Sequence, residues 1–585
     1  MKSLAPVDVV IVGSGWAGMI MAKEIASRTS LSVLLLERGG PFRGFKAYGE
    51  EMDEVDTLLR FRQTASAAQG LMTTRATSKD RANPIRQFSG LPYSGTGMGG
   101  SSDHWGATSP RLLPEAFHVA THLKELHGSK LPPDLTIQDW GITWEEIEPC
   151  YTRAEEMMGT SGKAGNLNGK KIEGGDIFEG PRSKEFPNPP HAMPYIPLLF
   201  AKAAKELGYH PFPMPSSTLS QDYTTPDGVK GIACQYCGHC SGFGCMVGAK
   251  ASPNFRLLPI LDRKKNFKVR THAHVRRVVH RGGKAVGVSY VDASGNEFMQ
   301  PAETVVLAAW VFNNARLLML SGIGEQYDPV TGKGTLGKNP TYAVRAGLEF
   351  FLDKPQNNFM GGGGLGMGIG DFLGDLGDEG AAQGAFRGGI VFAYTQGSPP
   401  IDGFGRVPEG EVHQNWGSDW KKAVMKWQDR SGSFLSTENH FAYRQNYLDL
   451  DPTYKDKWGD PLVRVTMDWT DADRKQAAYV SNKGVEIAKA MGATNIRPNP
   501  NPSANSGPHL TGDTHTHGGA IMGTSPETSV LNRYLQHWNM PNLWVLGGSA
   551  FPQSDEHETL TLAALSYWAA DAFIDRYAKR PGALA

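Results

Sequence analysis

Four of the five cysteines lie within a single segment of twelve residues, at Cys234, Cys237, Cys240 and Cys245. Thiolates this close together bind soft or borderline metal ions that prefer tetrahedral coordination, namely zinc or the iron of an iron–sulfur cluster. A structural zinc ion usually takes its ligands from two separated pairs, so one compact run favours an iron–sulfur cluster. Zinc remains the alternative, and the spacing does not decide whether three or four thiols are ligands.

Two histidine-containing segments form a second group with catalytic chemistry. One begins at His515 and the other contains His557. An imidazole, whose ordinary pKa is about 6.5, is a natural base for taking the proton of a hydroxyl group at neutral pH. A second polar group on the same hydroxyl would fix its orientation. If the two segments meet, they predict a site that oxidises an alcohol.

A glycine motif follows the first apolar run of the chain, Val7–Val12, with the spacing G-x-G-x-x-G at Gly13, Gly15 and Gly18. The run predicts a strand buried on both faces, and the apolar spacing after it predicts a helix. In such a turn the first glycine allows the sharp bend and the second lets the backbone approach a pyrophosphate. The third lets the helix pack closely on the strand.

A second apolar run, Val33–Leu36, ends at Glu37. This is about 20 residues past the last glycine, where the dinucleotide fingerprint places an acidic residue. A carboxylate there accepts hydrogen bonds from a ribose diol and would repel a 2′-phosphate. Strand, helix and acidic residue together predict a dinucleotide-binding unit, although the motif alone could be a chance match.

The segment from Gly97 to Arg111 is rich in small residues and contains Ser101, His104 and Trp105. Such a run does not form a stable helix. Its backbone N–H groups suit contact with a phosphate or a flat ring. A flexible linker is the alternative, and Trp105 and the apolar residues after Arg111 argue against it.

The remaining pattern indicates that one nucleotide-binding domain is assembled from separated pieces. Residues 304–310 predict another buried strand, followed by a helix. Residues 542–552 again predict a strand and a glycine turn, which contains Gly548, and residues 560–577 have the apolar spacing of a helix. Between these pieces, residues 341–500 hold short strand-like segments separated by Gly, Pro and Asp loops.

Length and composition limit the class of protein. At 585 residues the chain is too long for a single core, so about two or three domains are expected. Its hydrophobic and charged fractions, 40% and 20%, are those of a soluble globular protein. A formal net charge of zero argues against nucleic-acid binding. No apolar run is long enough for a transmembrane helix, and the N-terminus shows no secretory signal of its own.

Four parts of the chain, in order, resemble the glucose–methanol–choline (GMC) oxidoreductases, which are FAD-dependent alcohol and sugar oxidoreductases. These parts are the glycine motif with Glu37, the loop 97–111, the segment 321–324 and the two histidine regions. Within the family, the chain is most similar to flavoprotein subunits of bacterial membrane-bound sugar, sugar-acid and polyol dehydrogenases. That closer likeness lies in the cysteine run with the Ala-Lys-Ala-Ser-Pro after it, and in residues 448–456 and 518–523.

The resemblance implies an α/β fold. It predicts a discontinuous Rossmann-like FAD-binding domain and an α+β substrate domain built on an antiparallel sheet. The expected parts are FAD-binding at 1–160, 251–340 and 507–585, substrate or cap at 161–232 and 341–506, and an iron–sulfur cysteine loop at 233–250.

The resemblance also implies where FAD lies. Its diphosphate would lie over the glycine motif and its ribose on Glu37, with further contacts from Gly99, Ser101 and Gly548. The loop around His104 resembles the loop through which pyranose oxidases attach their flavin. This leads to the hypothesis that His104 is joined covalently to the flavin 8α-methyl group. A histidine that only packs against the ring is the alternative.

By the same resemblance, His515 is the family's catalytic histidine, the first residue of an H-x-x-G-G motif, and His557 is its second catalytic residue. The closest branch usually has Asn-Pro-Thr at the second position, where this chain has His-Glu-Thr. That departure leaves the exact substrate open. A carboxylate substrate would favour Arg or Lys in the pocket, and Arg111 and Arg444 are candidates.

For the cysteines, the resemblance implies a [3Fe-4S] cluster held by three of the four thiols. It further implies a small subunit with a twin-arginine signal and a membrane-bound multihaem cytochrome c subunit. The protein would then lie at the periplasmic face of the bacterial inner membrane, with a cytoplasmic location as the alternative. The expected reaction oxidises a secondary or anomeric hydroxyl of a sugar, a gluconate-like sugar acid or a polyol. Electrons would pass through FAD and the cluster to a cytochrome c or quinone chain.

Two other functions stay open. One is an FAD-dependent sugar oxidase that uses dioxygen and carries a structural zinc ion at the cysteines. The other is a non-catalytic assembly subunit, against which the presence of both His515 and His557 argues.

Overall fold

In the computed structural model of this chain, the structure is described for residues 1–42, 44, 72–84, 95–356, 361, 364, 366–394, 406–499, 515–553 and 557–584. Its first sheet joins parallel strands from three distant parts of the chain. Val7–Val12 pairs with Val33–Leu36 on one side and with Glu297–Leu307 on the other, and Glu297–Leu307 also pairs with Leu543–Val545. The other strands of this sheet are Phe267–Arg270, His274–Arg281, Lys284–Val291 and Lys2–Ser3.

The helices that cover the first sheet follow its strands directly. Trp16–Arg28 begins at the glycine turn, and Val311–Leu320 follows the strand that ends at Leu307. The helix Trp144–Met158 starts with a capping box formed by its N-cap threonine and a glutamate in its first turn. It packs against Thr559–Ala572, which also packs on Trp16–Arg28. One large apolar core therefore links the two ends of the chain.

A second, antiparallel sheet lies apart from the first and has its own apolar core. Two helices, Tyr195–Glu206 and Asp471–Ala490, pack against it. Asp471–Ala490 begins with a capping box. The strands, in spatial order, are Thr494–Asn499, Val344–Phe351, Ser431–Glu438, Gly389–Tyr394, Gly366–Ile369 and Pro211–Pro213.

Four smaller sheets complete the described strands. The largest has the order Tyr447–Lys455, Pro461–Thr466, Met72–Arg75 and Asn83–Pro84. The two-stranded pairs are Thr341–Tyr342 with Thr516–His517, Tyr223–Thr224 with Lys230–Gly231, and Asn166–Leu167 with Lys170–Lys171. The remaining helices are Val119–His127, Pro253–Arg256, Leu258–Leu261, Gly377–Ala382 and Gly417–Trp427, with short 3₁₀ turns at Gly100–Asp103, Pro114–His118, Gly128–Lys130 and Gly548–Ala550 and a π turn at Phe573–Tyr577.

The predicted fold class is confirmed: a discontinuous α/β unit on a mixed sheet accompanies an α+β unit built on an antiparallel sheet. Local bounds differ from the sequence prediction. The strand expected at 304–310 ends at Leu307. Residues 341–500, where short strands and loops were expected, also contain the helices Gly377–Ala382, Gly417–Trp427 and Asp471–Ala490. None of the described helices combines the length and apolarity needed to cross a membrane.

Candidate active site

A cavity of about 470 Å³ lies at the carboxyl ends of the parallel strands of the first sheet. Its volume falls within the range of roughly 300–1,000 Å³ that is typical of small-molecule sites. The glycine turn and Glu37 form one part of its wall, and Phe392 and Leu435 of the antiparallel sheet form another. Open α/β sheets bind ligands at this position, outside the carboxyl ends of their strands.

The three motif glycines occupy different environments at the cavity. Gly13 has φ +103°, and a Cβ there would lie 2.2 Å from the Ala308 carbonyl oxygen. A Cβ on Gly18 would lie 2.0 Å from the carbonyl oxygen of Gly13, so this glycine allows the helix to pack on the turn. A Cβ on Gly15 would meet no atom within 4 Å, and Gly15 lines the cavity. This arrangement fits a pyrophosphate laid over Gly15, at the N-terminus of a helix.

Glu37 is buried at the cavity wall and has four protein donors. Its Oε2 accepts hydrogen bonds from Ser14 Oγ at 2.6 Å and Ser14 N at 3.2 Å. Its Oε1 accepts hydrogen bonds from Gly39 N at 2.8 Å and Gly97 N at 3.3 Å. These donors use the acceptor capacity of a carboxylate. A ribose diol bound to Glu37 would therefore replace or share one of the two longer bonds.

The small-residue loop contributes to the cavity wall, as its composition predicts. Ser101 and His104 line the cavity, and the His104 carbonyl oxygen accepts a hydrogen bond from Gly242 N at 2.7 Å. Gly99 is not among the lining residues. It has φ +91°, and a Cβ there would lie 2.4 Å from Asn254 Nδ2, so it serves the packing of the loop. Gly548 lines the cavity.

His515 and His557 both line this cavity, with ring centroids 5.7 Å apart and ring planes perpendicular. The His515 carbonyl oxygen accepts a hydrogen bond from Ala343 N at 3.0 Å, just before the strand Thr516–His517. His557 precedes the helix Thr559–Ala572. The structure therefore brings together the two histidine segments that the sequence shows separately.

Three cavity-lining residues other than glycine have a left-handed backbone. These are Ala107 (φ +68°), Trp310 (φ +77°) and His557 (φ +35°). Such conformations cost about 1–3 kcal/mol each, and they concentrate at functional sites. The presence of three such residues in one cavity wall supports the assignment of this cavity as the active site.

The cavity lining also includes Glu558, Phe392 and Arg38, for which no role was predicted. Glu558 Oε2 lies 2.5 Å from His515 Nδ1. The Phe392 ring lies edge-on to the His557 ring at 5.5 Å, and Arg38 donates a hydrogen bond to Thr96 Oγ1 at 3.3 Å. A carboxylate beside His557 is visible in the sequence, whereas Phe392 is one apolar residue in an apolar strand and carries no such signal.

The four clustered cysteines lie beside the cavity, which Ser241 and Gly242 of the same segment line. Cys240 is buried, Cys237 is exposed, and Cys234 and Cys245 are intermediate. Burial raises the pKa of the Cys234 thiol to about 11 and that of Cys240 to about 12. Among the residues that the structure describes, no three His, Cys, Asp or Glu side chains are placed to hold a metal ion. Four thiols have the chemistry of an iron–sulfur ligand set, but their sulfur atoms are not drawn together into such a set in the described structure.

The two arginines considered for a carboxylate substrate lie elsewhere. Arg111 is buried away from the cavity lining and binds Glu148 at 2.8 Å and Glu155 at 2.8 Å. Arg444 is bound to the carbonyl oxygens of Pro329 and Val330. Both guanidinium groups therefore serve the packing of the fold, and neither lines the cavity.

Comparisons with known proteins agree with this architecture. Models of the GMC oxidoreductase family match residues 196–340 and 442–566. The chain is 40% identical over 598 residues to the gluconate 2-dehydrogenase flavoprotein of Pantoea cypripedii, and the match covers 100% of this chain and 96% of the relative. The chain belongs to the GMC oxidoreductase family.

Two further comparisons extend this result. The GMC oxidoreductase is 26% identical over 598 residues to the fructose dehydrogenase large subunit of Gluconobacter japonicus, with 97% of this chain and 98% of the relative covered. Pyridoxine 4-oxidase from Mesorbium loti shares the fold, with a TM-score of 0.59, 16% identity and coverage of 97% of this chain and 99% of that one. The predictions of family, FAD binding and oxidoreductase activity on CH–OH groups are confirmed.

Proposed function

We propose that this GMC oxidoreductase is a dehydrogenase that oxidises a secondary or anomeric hydroxyl group of a sugar, sugar acid or polyol. The observation that carries the proposal is the meeting of His515 and His557 in the cavity that also contains Gly15 and Glu37. A base and a second hydroxyl-binding group then share one cavity with the dinucleotide-binding turn.

In this reaction His515 takes the proton of the substrate hydroxyl group, and His557 holds the same oxygen atom. FAD, when bound, supplies the acceptor for the hydride that leaves the adjacent carbon. Loss of the proton and the hydride converts the alcohol to a carbonyl group. Phe392, packed edge-on against His557, limits the rotation of that ring and shields this side of the site from water.

The proposed substrate class draws on the names of two relatives, which specify gluconate and fructose. A panel of D-gluconate, 2-keto-D-gluconate, D-sorbitol, D-fructose and D-glucose tests it, with an artificial electron acceptor beside oxygen uptake. We expect anaerobic bleaching of the flavin and acceptor reduction with at least one member, without matching oxygen uptake. Oxygen uptake at the same rate would assign an oxidase instead. Absence of bleaching with every member contradicts the substrate class.

We also propose that His104 forms the covalent link to the flavin 8α-methyl carbon. This proposal is supported by the position of His104, which is buried and lines the cavity. Formation of this bond would release one proton from the His104 ring and one from the methyl group, and would leave two electrons on the flavin. The oxidant that normally accepts electrons from the reduced flavin would complete the step. Acid precipitation should leave flavin absorbance with the wild-type protein and release it from His104→Ala. Release from both proteins contradicts the link.

The iron–sulfur centre is a further proposal for the segment Cys234–Cys245. Four thiols in one segment beside the cavity support it, whereas the geometry of the described residues does not. Iron and acid-labile sulfide in anaerobically purified protein, and their loss in Cys240→Ser, would support the cluster. Zinc without iron would contradict it.

The proposed domain division follows the sheets. Strands of the first sheet fall in 1–160, 251–340 and 507–585, and those of the antiparallel sheet fall in 161–232 and 341–506. We assign the first group to FAD binding and the second to substrate binding, with 233–250 as the cysteine loop.

A place in a multisubunit complex is proposed from the names of the relatives, a flavoprotein and a large subunit. The expected partners are a small subunit with a twin-arginine signal and a membrane-bound multihaem cytochrome c subunit, which place the protein at the periplasmic face of the inner membrane. Purification from native membranes should yield a complex with cytochrome c absorbance. Recovery of an active flavoprotein from the cytoplasm alone contradicts this placement.

A further inference from the structure

Glu558 lines the cavity together with the two catalytic candidates. It follows His557 in sequence and stands at the N-cap of the helix Thr559–Ala572. Its side chain is 12% exposed, and its Oε2 atom lies 2.5 Å from His515 Nδ1. The same oxygen atom lies 3.8 Å from His517 Nε2. One carboxylate thus faces two imidazoles, with direct contact to one of them.

The charges of these groups show which imidazole the carboxylate serves. Burial by itself raises the pKa of Glu558, but the attraction to His515, whose Nδ1 is in contact with the carboxylate, outweighs burial and lowers this pKa to about 2. Glu558 is therefore ionised at neutral pH. Burial lowers the pKa of His517 to about 4 despite the nearby carboxylate, so His517 is neutral there. The negative charge acts mainly on His515.

This contact determines which nitrogen of His515 performs the chemistry. A ring nitrogen that donates its hydrogen to a carboxylate cannot accept a proton from substrate. With Nδ1 engaged by Glu558, the other nitrogen, Nε2, is left as the acceptor. When His515 gains the substrate proton, its positive charge develops next to a buried anion that is already in place.

We propose that Glu558 is a positioning residue for His515: it fixes the tautomer in which Nε2 is the base and stabilises the protonated ring. The inference rests on the proposed role of His515. It also gives a reason for the His-Glu-Thr sequence at this site, where a proline at the middle position would carry no carboxylate.

The variant that tests the proposal is Glu558→Gln, which keeps the size of the side chain and removes its charge. We expect kcat to fall by at least about 10-fold. Loss of the carboxylate behind a metal-bound histidine costs about 10- to 100-fold, and loss of the one that fixes the tautomer of a catalytic histidine costs up to about 10,000-fold. KM should change less than kcat. The acidic limb of the kcat/KM profile should move to lower pH, because an anion beside an imidazole favours its protonated form. Glu558→Asp should restore the wild-type position of that limb.

The matched control is Glu527→Gln, at an exposed glutamate of the same C-terminal region, which should leave kcat and the pH profile unchanged. Rates are measured with the fastest member of the substrate panel, and melting temperature and bound flavin are recorded for each variant. A glutamate that only stabilises the start of its helix would change the melting temperature without moving the pH profile.

The outcomes separate this inference from the proposed function. Wild-type kcat and an unmoved pH profile in folded, flavin-loaded Glu558→Gln overturn the role of Glu558, while loss of turnover in His515→Ala still supports the base. Normal turnover in His515→Ala overturns both. If Glu558→Gln does not retain FAD, the test uses Glu558→Asp instead. A wild-type pH profile with lower kcat in that variant supports the proposal. A displaced pH profile contradicts it.

Discussion

The rings of His515 and His557 stand perpendicular to each other with their centroids 5.7 Å apart. One residue adjoins a two-residue strand and the other adjoins a helix, so separate elements hold them. A hydroxyl group between two imidazoles can donate its proton to one and accept a hydrogen bond from the other. This geometry suits the binding and deprotonation of an alcohol.

Replacement of His515 by alanine should reduce turnover by about 100- to 10,000-fold, the range for loss of a general base. FAD should remain bound, because the glycine turn and Glu37 are unchanged. Anaerobic stopped-flow reduction of the flavin measures the effect. The exposed His413 provides the control variant His413→Ala, which should react at the wild-type rate. Equal rates for both variants would exclude His515 as the base.

Substitution of two glycines of the same motif should have different effects, one on FAD binding and the other on stability. Gly15 has φ −73°, which suits any residue, and open space beyond its Cα. Gly15→Val should therefore fold but lose FAD, since its side chain enters the cavity. Gly13→Val should lower the melting temperature, because its Cβ would meet the Ala308 carbonyl oxygen. Flavin content and circular dichroism distinguish the two effects, and full FAD occupancy in Gly15→Val would contradict the placement of the pyrophosphate.

Arg111 should contribute to stability. Its side chain is 1% exposed and binds Glu148 and Glu155, so Arg111→Ala removes the guanidinium paired with Glu148, while Glu155 keeps its contact with Arg182. Such a loss costs about 3–5 kcal/mol. Lys205 pairs with Glu173 at the surface, and Lys205→Ala should cost about 0–1 kcal/mol. Thermal unfolding compares the two, and a similar melting temperature for both variants would show that the buried network is not needed.

Asp473 should make stability depend on pH. It caps the helix Asp471–Ala490, and burial raises its pKa to about 7. Between pH values of about 4 and 7 the unfolded chain releases this proton while the folded protein keeps it, so stability falls as pH rises. Asp473→Asn retains a capping oxygen and removes the titration. Its melting temperature should fall less across this range than that of the wild type, and parallel curves would contradict the assignment.

Local patterns predicted the parts of the site that short segments form. The strand Val7–Val12, its glycine turn and Glu37 follow from spacing, because the chemistry of that turn is contained in consecutive residues. The contact between His515 and His557 could be expected only through resemblance to a family. It depends on the pairing of Thr516–His517 with Thr341–Tyr342, which no local pattern specifies.

Other features of the fold and the site could not be predicted from the sequence, for physical reasons. The strand Gly366–Ile369 has glycine at alternate positions and so lacks the side-chain alternation that marks a strand. The positive charge of Arg111 would suit a carboxylate substrate. Only the three-dimensional structure shows that two glutamate carboxylates already surround it. Glu558 was visible beside His557, but its direction toward His515 depends on how the final helix begins.

The strand Glu297–Leu307 lies between Val7–Val12 and Leu543–Val545. The cavity is therefore complete only after both outer parts of the chain have joined this strand. Contacts of such long sequence separation form slowly, since the intervening chain must first be ordered. A ligand that binds the completed cavity draws the folding equilibrium toward the native state by mass action. Bound FAD therefore stabilises the joined strands as well as taking part in catalysis.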